Sequence, residues 1–320
     1  MDERRFDVLA VGEILVDFIA DAGQVSLAEA RHFTVFPGGE VTNVALNTAR
    51  LGGSSMLVAR VGGDAFGVFL KQYLQRAGVE ISHLGTATHR PTTLVANTRQ
   101  NQTPDFIAYR GADRYLSPND MPVSLLPDTF CVHTSAFALA YEPARSTILQ
   151  FITQAHAAGC LVSFDPNYDP RIWEQGADPL VVLAQICPYA TLVKPSLDDC
   201  ARLFGPGQAP EAYAVRFLEW GAQHVVLTMG ARGVLLVNAR QSEHYPVRPI
   251  DVVDVTGAGD SFWAGLLLAK RDGFSMPDAV RFAQAVAEIK LQRAGPLFQP
   301  IDRFALYEEL DLLPSQESLP

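Results

Sequence analysis

The residue types best suited to chemistry lie in one stretch near the C-terminal end, residues 254–262, which read DVTGAGDSF. Gly257, Ala258 and Gly259 are small enough for a charged ligand to approach the backbone closely. The apolar run that follows predicts that a helix begins here, with free N–H groups and the positive end of its dipole. Such a helix start binds anions, phosphate above all.

Asp260 places a carboxylate beside this predicted anion site. A carboxylate at this point suggests a base that acts on a hydroxyl group attacking phosphorus. The alternative interpretation is a glycine-rich turn with an aspartate that caps the helix, because aspartate is a common capping residue. Further polar residues at the same place would favour the catalytic base over the capping turn.

Strand-like and helix-like segments alternate along the chain, which predicts an α/β fold with a mostly parallel sheet covered by helices on both faces. The predicted strands are residues 6–11, 55–61, 130–134, 160–165, 190–193, 225–228 and 234–238. The predicted helices are residues 41–51, 66–77, 143–158, 197–204, 210–221, 258–271 and 276–293. Two further β-prone runs, 92–98 and 105–109, flank a polar segment and predict a hairpin that interrupts this pattern.

Polar residues follow several predicted strands, at the edge of the sheet where α/β proteins bind ligands. Asp165 ends one strand, Lys194 follows the next, and Thr228 begins a turn that contains Gly230 and Gly233. Turns favour these residue types in any case, but several such groups at one edge indicate a site. The chain contains no G-x-x-x-x-G-K-[ST] motif and no G-x-G-x-x-G after the first strand. A P-loop enzyme and a dinucleotide-binding dehydrogenase are therefore disfavoured.

The chain has 320 residues, 48% of them hydrophobic, and a formal net charge of −10. Its basic residues form no patch, so we expect no nucleic-acid partner. The four cysteines form no C-x-x-C pair, which favours reduced thiols. The N-terminus lacks a signal-peptide pattern, and no apolar stretch approaches the roughly 18 residues of a membrane span. We therefore expect a cytoplasmic protein with no membrane partner.

Four motifs resemble those of the ribokinase-like (PfkB) carbohydrate kinases. Residues 37–45, PGGEVTNVA, are similar to that family's sugar-binding G-G-x-x-x-N segment, and residues 61–67, VGGDAFG, to its V-G-x-D-x-F-G element. Residues 228–233, TMGARG, resemble its T-x-G-x-x-G nucleotide loop, and residues 254–262 resemble its catalytic signature. The resemblance extends from about residue 6 to residue 302. It implies a three-layer αβα sandwich with a mostly parallel central sheet and a small β-sheet lid.

The resemblance also implies one kinase domain over residues 1–312 and a loose tail over residues 313–320. The lid strands would come from residues at about 14–20, 32–37 and 91–110. Members of this family often pair their lids, so a homodimer through the lid is expected. The implied substrates are ATP, accompanied by Mg²⁺, and a small sugar.

Roles follow for the residues that match the family motifs. Asp260 would accept the proton of the sugar hydroxyl, and the residues implied to hold the γ-phosphate are Gly257, Ala258 and Gly259. The residues implied to bind the sugar hydroxyls are Asp17, Gly38, Gly39 and Asn43. The residues implied to bind the nucleotide are Lys194, Thr228, Gly230 and Gly233. Asp199 would organise Mg²⁺ through water, and Asp254 and Thr256 are where many members bind K⁺. The helix start is expected to lower the pKa of Asp260.

Three elements look like the fructokinase branch of the family, residues 109–113, 133–135 and 165–168. They imply that the acceptor is fructose and that Arg110, Asp165 and Arg171 contact it. An arginine at the site would equally recognise the carboxylate of a sugar acid, which leaves a 2-keto-3-deoxygluconate kinase as an alternative. A nucleoside kinase of the same fold and a sugar- or nucleotide-binding regulator on a degenerate kinase scaffold are further alternatives.

Overall fold

A computed structural model gives the structure of the protein over residues 4–21, 26–98, 105–293, 295, 297 and 299–314. The polar segment 99–104 of the predicted hairpin and residues 315–320 of the predicted tail lie outside the described residues. Over the described ranges, no helix is both long and apolar enough to cross a membrane.

The strands of the described chain form one large sheet and one small sheet. The strands in the first part of the chain are β1 (Phe6–Val11), β2 (Leu15–Ala20), β3 (Phe33–Gly38), β4 (Ser55–Gly62), β5 (Leu84–Ala87), β6 (Thr93–Asn97) and β7 (Phe106–Tyr109). Those in the second part are β8 (Thr129–Ser135), β9 (Leu161–Asp165), β10 (Leu192–Val193), β11 (His224–Thr228), β12 (Val234–Asn238) and β13 (Ser242–Tyr245).

The α-helices lie between the strands along the chain or after the last of them, and several of them begin at a capping side chain or a glycine. They are α1 (Glu40–Arg50), α2 (Ala65–Arg76), α3 (Ala144–Ala157), α4 (Pro179–Ile186), α5 (Leu197–Phe204), α6 (Pro210–Glu219), α7 (Ala258–Arg271), α8 (Met276–Leu291) and α9 (Arg303–Glu309). Asp64 caps α2 by accepting a hydrogen bond of 2.9 Å from the N–H of Gly67. Ser275 caps α8 in the same way. Such caps replace bonds that the first turn cannot make within the helix.

The large sheet has the strand order β13-β12-β11-β10-β9-β8-β1-β4-β5 over the described residues. The strands from β11 to β5 pair in parallel, and β12 and β13 are antiparallel additions at one edge. Alternate residues of its strands enter two apolar clusters, one with α3 and α6 and the other with α7 and α8. Helices therefore cover both faces, and the predicted three-layer αβα fold is confirmed.

The sequence pattern does not predict β5, β13, α4 or α9. β13 lies at the edge of the sheet, and its first three residues are exposed, so no buried apolar alternation marks it. β5 contains only four residues, one of them glycine, which gives a weak strand signal. α4 is a short and nearly uniformly apolar run, for which a period of 3.6 residues is hard to detect.

The small sheet has the order β3-β2-β6-β7 and forms the lid. β2 pairs in antiparallel fashion with β3 and in parallel with β6, and β7 continues the sheet beyond β6. The lid leads directly into α1 through Gly38 and Gly39. Gly39 has φ 104°, which favours glycine, and a Cβ atom on Gly38 would overlap Oδ2 of Asp17. The two glycines therefore let β2, β3 and α1 meet closely at the carboxyl ends of the large sheet.

Candidate active site

α7 begins at a glycine in a strained turn. Gly257 precedes the first helical residue with φ 73° and ψ 9°, in the left-handed region that glycine tolerates best. Outside its own turn, a Cβ atom on Gly257 would meet no described atom within 4 Å, so the turn faces open space. The N–H of Ala258 donates within the preceding turn. The N–H groups of Gly259 and Asp260 precede the first intrahelical bond, and they are the donors available to an anion.

The carboxylate of Asp260 lies in the first turn of α7 and is partly buried. Its Oδ2 accepts a hydrogen bond of 2.7 Å from Nδ2 of Asn43, near the start of α1. Burial raises the pKa of Asp260 to about 6, although the charge of Lys194 and the hydrogen bond from Asn43 lower it. The expectation that the helix start lowers this pKa is wrong, because desolvation outweighs the dipole. Asp260 is therefore a stronger base than expected.

The ammonium group of Lys194 supplies a positive charge beside the helix start. Its Nζ lies 2.6 Å from Oδ2 of Asp165, and both side chains are buried. The same Nζ lies 3.6 Å from the position that a Cβ atom on Gly259 would take. Burial lowers the pKa of Lys194, but the carboxylates of Asp165 and Glu40 more than compensate and raise it. Lys194 is therefore charged at neutral pH and close enough to meet a bound anion.

Three carboxyl groups surround this point. Glu40, Asp165 and Asp260 each place a carboxylate oxygen within 4.8 Å of the others. Glu40 is buried in the first turn of α1. Burial raises its pKa well above the usual range, and the negative charges of Asp165 and Asp260 raise it further. One ammonium group among three carboxyl groups leaves the site rich in hydrogen-bond acceptors, which suits hydroxyl groups and a hydrated cation.

A buried hydrogen-bond chain connects this cluster to the core. Nε1 of Trp263 donates to Oγ of Ser163 at 2.7 Å, and Oγ of Ser163 lies 2.9 Å from Nδ1 of His133. Nε2 of His133 lies 2.9 and 3.0 Å from the two carboxylate oxygens of Glu40. With the ring proton on Nε2, His133 donates to Glu40 and its Nδ1 accepts from Ser163. Burial lowers the pKa of His133 to about 3, so the ring stays neutral.

A cleft opens between the lid, α1 and the start of α7. Its lining includes Asp17 of β2, Phe36 of β3, Asn43 of α1, Tyr73 of α2 and Gly257. Burial raises the pKa of Asp17 to about 7, and the charge of Asp260 adds to this effect. The predicted sugar-binding residues Asp17 and Asn43 therefore lie on the wall of one cleft that also reaches the anion-binding turn.

The comparisons with known proteins agree with this geometry. Residues 5–302 match the pfkB family carbohydrate kinases. The chain belongs to this family. An ATP-dependent 6-phosphofructokinase of Thermoanaerobacterium thermosaccharolyticum is 34% identical over 297 residues, which cover 92% of this chain and 91% of that protein. The resemblance predicted from the motifs is thus confirmed.

Two solved structures extend the comparison. Fructokinase of Halothermothrix orenii is 34% identical with a TM-score of 0.79, over 91% of this chain and 99% of its own. Fructokinase from Vibrio cholerae, solved with fructose, ADP and calcium, is 29% identical with a TM-score of 0.80, over 94% of this chain and 97% of its own. This pfkB family kinase is therefore a sugar phosphotransferase with fructokinases among its structural neighbours.

Two arginines predicted to contact the acceptor form ion pairs within the kinase. Arg110 forms a buried ion pair with Asp113 at 2.5 Å, and its guanidinium also donates to the carbonyl of Phe137. Arg171 is exposed and lies 2.6 Å from Asp169. Neither arginine lines the cleft that contains Asp17. Their roles in acceptor binding stay predictions, whereas Asp165 lies in the cluster around Lys194.

The predicted nucleotide-binding turn of the kinase follows β11. The N–H of Thr228 donates to the carbonyl of Pro195 at 3.0 Å, which places this strand end beside the segment that follows β10. Gly230 and Gly233 have φ 57° and 90°. A Cβ atom on Gly233 would overlap the carbonyl oxygen of Tyr245, so β13 packs directly on this turn. The turn lies at the same edge of the sheet as Asp165 and Lys194, as the strand order requires.

The predicted metal residue Asp199 is engaged in the start of α5. Its Oδ2 accepts hydrogen bonds from the N–H and the hydroxyl of Ser196, at 2.9 and 2.5 Å. Its Oδ1 accepts from the N–H of Tyr168 at 2.9 Å. Burial raises the pKa of Asp199, and the charge of Asp165 adds to this effect. The carboxylate fits a helix cap, and its role in organising Mg²⁺ through water stays a prediction.

No role was predicted for three buried residues, Glu40, His133 and Lys290, although Glu40 lies in the motif 37–45 and His133 in the element 133–135. Glu40 follows Gly39 and has the sequence signature of a helix-start carboxylate, with nothing to mark it as buried. The sequence around Lys290 contains a detectable signal of burial. The lysine continues a stripe of apolar residues at helical spacing, which is buried in the structure and consists of Ala279, Phe282, Ala283 and Val286. A lysine on the core stripe of a helix is unusual enough to predict a buried charge.

Proposed function

We propose that this pfkB family kinase transfers the γ-phosphate of ATP to a primary hydroxyl group of fructose. The observation that carries the proposal is the position of Asp260, a carboxylate with a pKa of about 6 in the first turn of α7 that accepts a hydrogen bond from the cleft residue Asn43. A base with this pKa is largely ionised at neutral pH and retains affinity for a proton.

Asp260 is proposed to take the proton of the acceptor hydroxyl while that oxygen bonds to the γ-phosphorus. The bond from the γ-phosphorus to the β–γ bridging oxygen breaks, and ADP leaves. The N–H groups of Gly259 and Asp260, with the ammonium of Lys194, lie where they would stabilise the charge on the transferred group. Because this transition state is loose, positioning and charge stabilisation contribute more than base strength.

The cleft favours a neutral sugar over a phosphorylated or acidic one. Asp17, Asn43 and Asn47 line it and offer carboxylate and amide groups that match adjacent hydroxyls. Arg50 is the only lysine or arginine among its described lining residues, and its Nη1 already donates to the carbonyl of Leu297 at 3.1 Å. A second phosphate or a carboxylate would need more free cationic donors than this. The fructokinase neighbours support fructose, although a 6-phosphofructokinase is also among the relatives.

ATP is proposed to bind as its Mg²⁺ complex along the edge formed by Lys194, Thr228, Gly230 and Gly233. This assignment is supported by an ATP-dependent 6-phosphofructokinase among the relatives and by the similar fructokinase structure that was solved with ADP. The carboxyl groups of Glu40, Asp165 and Asp260 are already engaged with His133, Lys194 and Asn43. The Mg²⁺ ion is therefore proposed to be held by the phosphates and by water, where it would neutralise phosphate charge.

The lid is proposed to form a homodimer. Its strands β3 and β7 expose apolar side chains, Phe33 and Val35 on one and Ile107 and Tyr109 on the other. Exposed apolar side chains on a small sheet favour pairing with a second copy. A cytoplasmic location is proposed as well, since the four cysteines are buried free thiols.

A coupled ADP-release assay tests the proposed reaction. The acceptor panel contains fructose, fructose 6-phosphate, glucose, ribose, 2-keto-3-deoxygluconate and a nucleoside, with Asp260→Asn as the control for contaminating kinases. We expect fructose to give the highest kcat/KM. A higher value for fructose 6-phosphate or the sugar acid would refute the substrate, and no turnover of any acceptor would refute the kinase reaction for this chain.

A further inference from the structure

Lys290 is a fully buried lysine in the last turn of α8. It lies on the helix face that also buries Ala283 and Val286. A buried ammonium group is strongly unfavourable unless hydrogen-bond acceptors or an opposite charge compensate it. The position of this side chain therefore indicates that something nearby requires a positive charge.

The partner of Lys290 is Asp254, the first residue of the catalytic signature. Nζ of Lys290 donates to the backbone carbonyl of Asp254 at 2.7 Å and lies 3.9 Å from its Oδ1. The N–H of Asp254 donates in turn to the carbonyl of Leu291. The ammonium group therefore joins the end of α8 to a loop that reaches the phosphate-binding Gly257 three residues later.

The carboxylate of Asp254 is also fully engaged. Its Oδ1 accepts from the N–H of Thr256 at 2.9 Å, and its Oδ2 accepts from the N–H of Gly295 at 2.8 Å. Although burial opposes ionisation, these hydrogen bonds and the charge of Lys290 lower the pKa of Asp254. Both carboxylate oxygens and the backbone carbonyl of Asp254, one of the two residues implied to hold K⁺, thus already accept from N–H donors or an ammonium group. Donors of this kind do not fit a K⁺ ion, which requires free oxygens.

We propose that the ammonium group of Lys290 is a built-in cation that orders the 254–257 loop, so that this kinase needs no monovalent metal ion. Lys290 acts as a positioning residue, because it contacts the loop and not the reacting atoms. Its charge nevertheless extends to the catalytic base, since Lys290 is among the groups that lower the pKa of Asp260. The inference rests on the proposed function for its kinetic readout, whereas its thermal readout does not.

The wild-type kinase provides the first test. Phosphoryl transfer and thermal unfolding are measured in KCl, NaCl and tetramethylammonium chloride at equal ionic strength. We expect kcat to agree within about twofold and Tm to be the same in the three salts, because the cation is part of the chain. Activation by K⁺ or stabilisation by K⁺ that the other two salts do not reproduce would overturn the proposal, whatever the variants show.

Two substitutions at the same position provide the second test. In Lys290→Ala the side chain is removed and space for an ion is left, and we expect kcat to fall by about 10- to 100-fold in tetramethylammonium. K⁺ should raise kcat of Lys290→Ala by about tenfold and should also raise its Tm, because the ion binds the site that the lysine side chain has left. Lys290→Met fills the space with an apolar side chain and should respond to no cation. Equal kcat values for Lys290→Ala and the wild type, or equal K⁺ responses of the two variants, would contradict the proposal.

Lys270 offers a matched control. It is also buried, and its Nζ donates to a backbone carbonyl, that of Phe274, at 2.6 Å. It lies in the last turn of α7, roughly 15 Å along the helix from Asp260. Lys270→Ala should lose stability without any K⁺ dependence of kcat or Tm. If the wild type transfers no phosphate to any acceptor, the proposed function is refuted. The Tm measurements in the three salts then still test the role of Lys290.

Discussion

The hydrogen bond from Asn43 to Asp260 sets the ionisation of the proposed base, and Asn43→Ala removes it. Hydrogen bonds to charged groups contribute about 1.5–3 kcal/mol, and about 1.4 kcal/mol corresponds to one pKa unit. We therefore expect the pKa of Asp260 to rise from about 6 to about 7–8. At pH 7 the ionised fraction of Asp260 would fall from about 90% to between about 10% and 50%.

The assay is the pH dependence of kcat/KM for the sugar between pH 5 and 9.5. The acid limb should move up by about 1–2 units in Asn43→Ala. The difference from wild type should shrink above pH 9, where only the lost sugar contact remains. Asn47→Ala is the control, because Asn47 lies one turn further along α1 and its Nδ2 contacts Ser261 at 3.3 Å. An unchanged acid limb in Asn43→Ala, or an equal shift in Asn47→Ala, would refute the reasoning.

Three further changes test the site. Asp260→Asn should lower kcat by about 10²- to 10⁴-fold in the steady-state assay while Tm stays within a few degrees, and retention of most activity would exclude Asp260 as the base. Asp17→Asn should raise KM for the sugar and leave the acid limb nearly in place, because Asp17, with a pKa of about 7, is largely neutral where Asp260 titrates; a shift of about one unit or more would contradict this order of the two pKa values. His133→Ala removes the buried hydrogen-bond partner of Glu40. It should lower the free energy of unfolding, measured by urea titration, by about 1–3 kcal/mol for each group left unpaired, and an unchanged midpoint would show that this series of hydrogen bonds is dispensable for stability.

The sequence predicted the transfer chemistry because that chemistry is local. Gly257 and Asp260 stand three residues apart, and the apolar run after them fixes where the helix begins. The strand ends that carry Asp165, Lys194 and Thr228 were also predictable, since parallel strands bring their carboxyl ends to one edge. Backbone periodicity alone therefore located the reactive edge of the sheet.

The ionisation of the site was not predictable in the same way, because it depends on how completely the surrounding elements exclude water. The helix start near Asp260 favours the charged form, and a sequence reveals that effect. The burial that reverses it depends on tertiary packing, in which α1 lies against α7 and its Asn43 bonds the carboxylate from a distant part of the chain. Tertiary desolvation therefore decides the direction of the pKa shift, and no local motif contains that information.

The acceptor contacts were harder to predict because side-chain pairing decides them. Arg110 matches a family element, yet Asp113 lies three residues later and takes its guanidinium into a buried ion pair. The sequence shows that Arg110 and Asp113 are three residues apart, but it does not show whether the guanidinium binds Asp113 or an acceptor sugar. By contrast, Asp17 and Asn43 both line the cleft, and the hydrogen bond to Asp260 keeps the side chain of Asn43 there. Acceptor choice is therefore proposed to depend on Asp17 and phosphoryl transfer on the turn at Gly257, with Asn43 in contact with both sides of the site. Substitutions at Asp17 should change which sugar is used and leave the anion-binding turn intact, because Gly257 gains its conformation from α7 and from the loop that Lys290 holds.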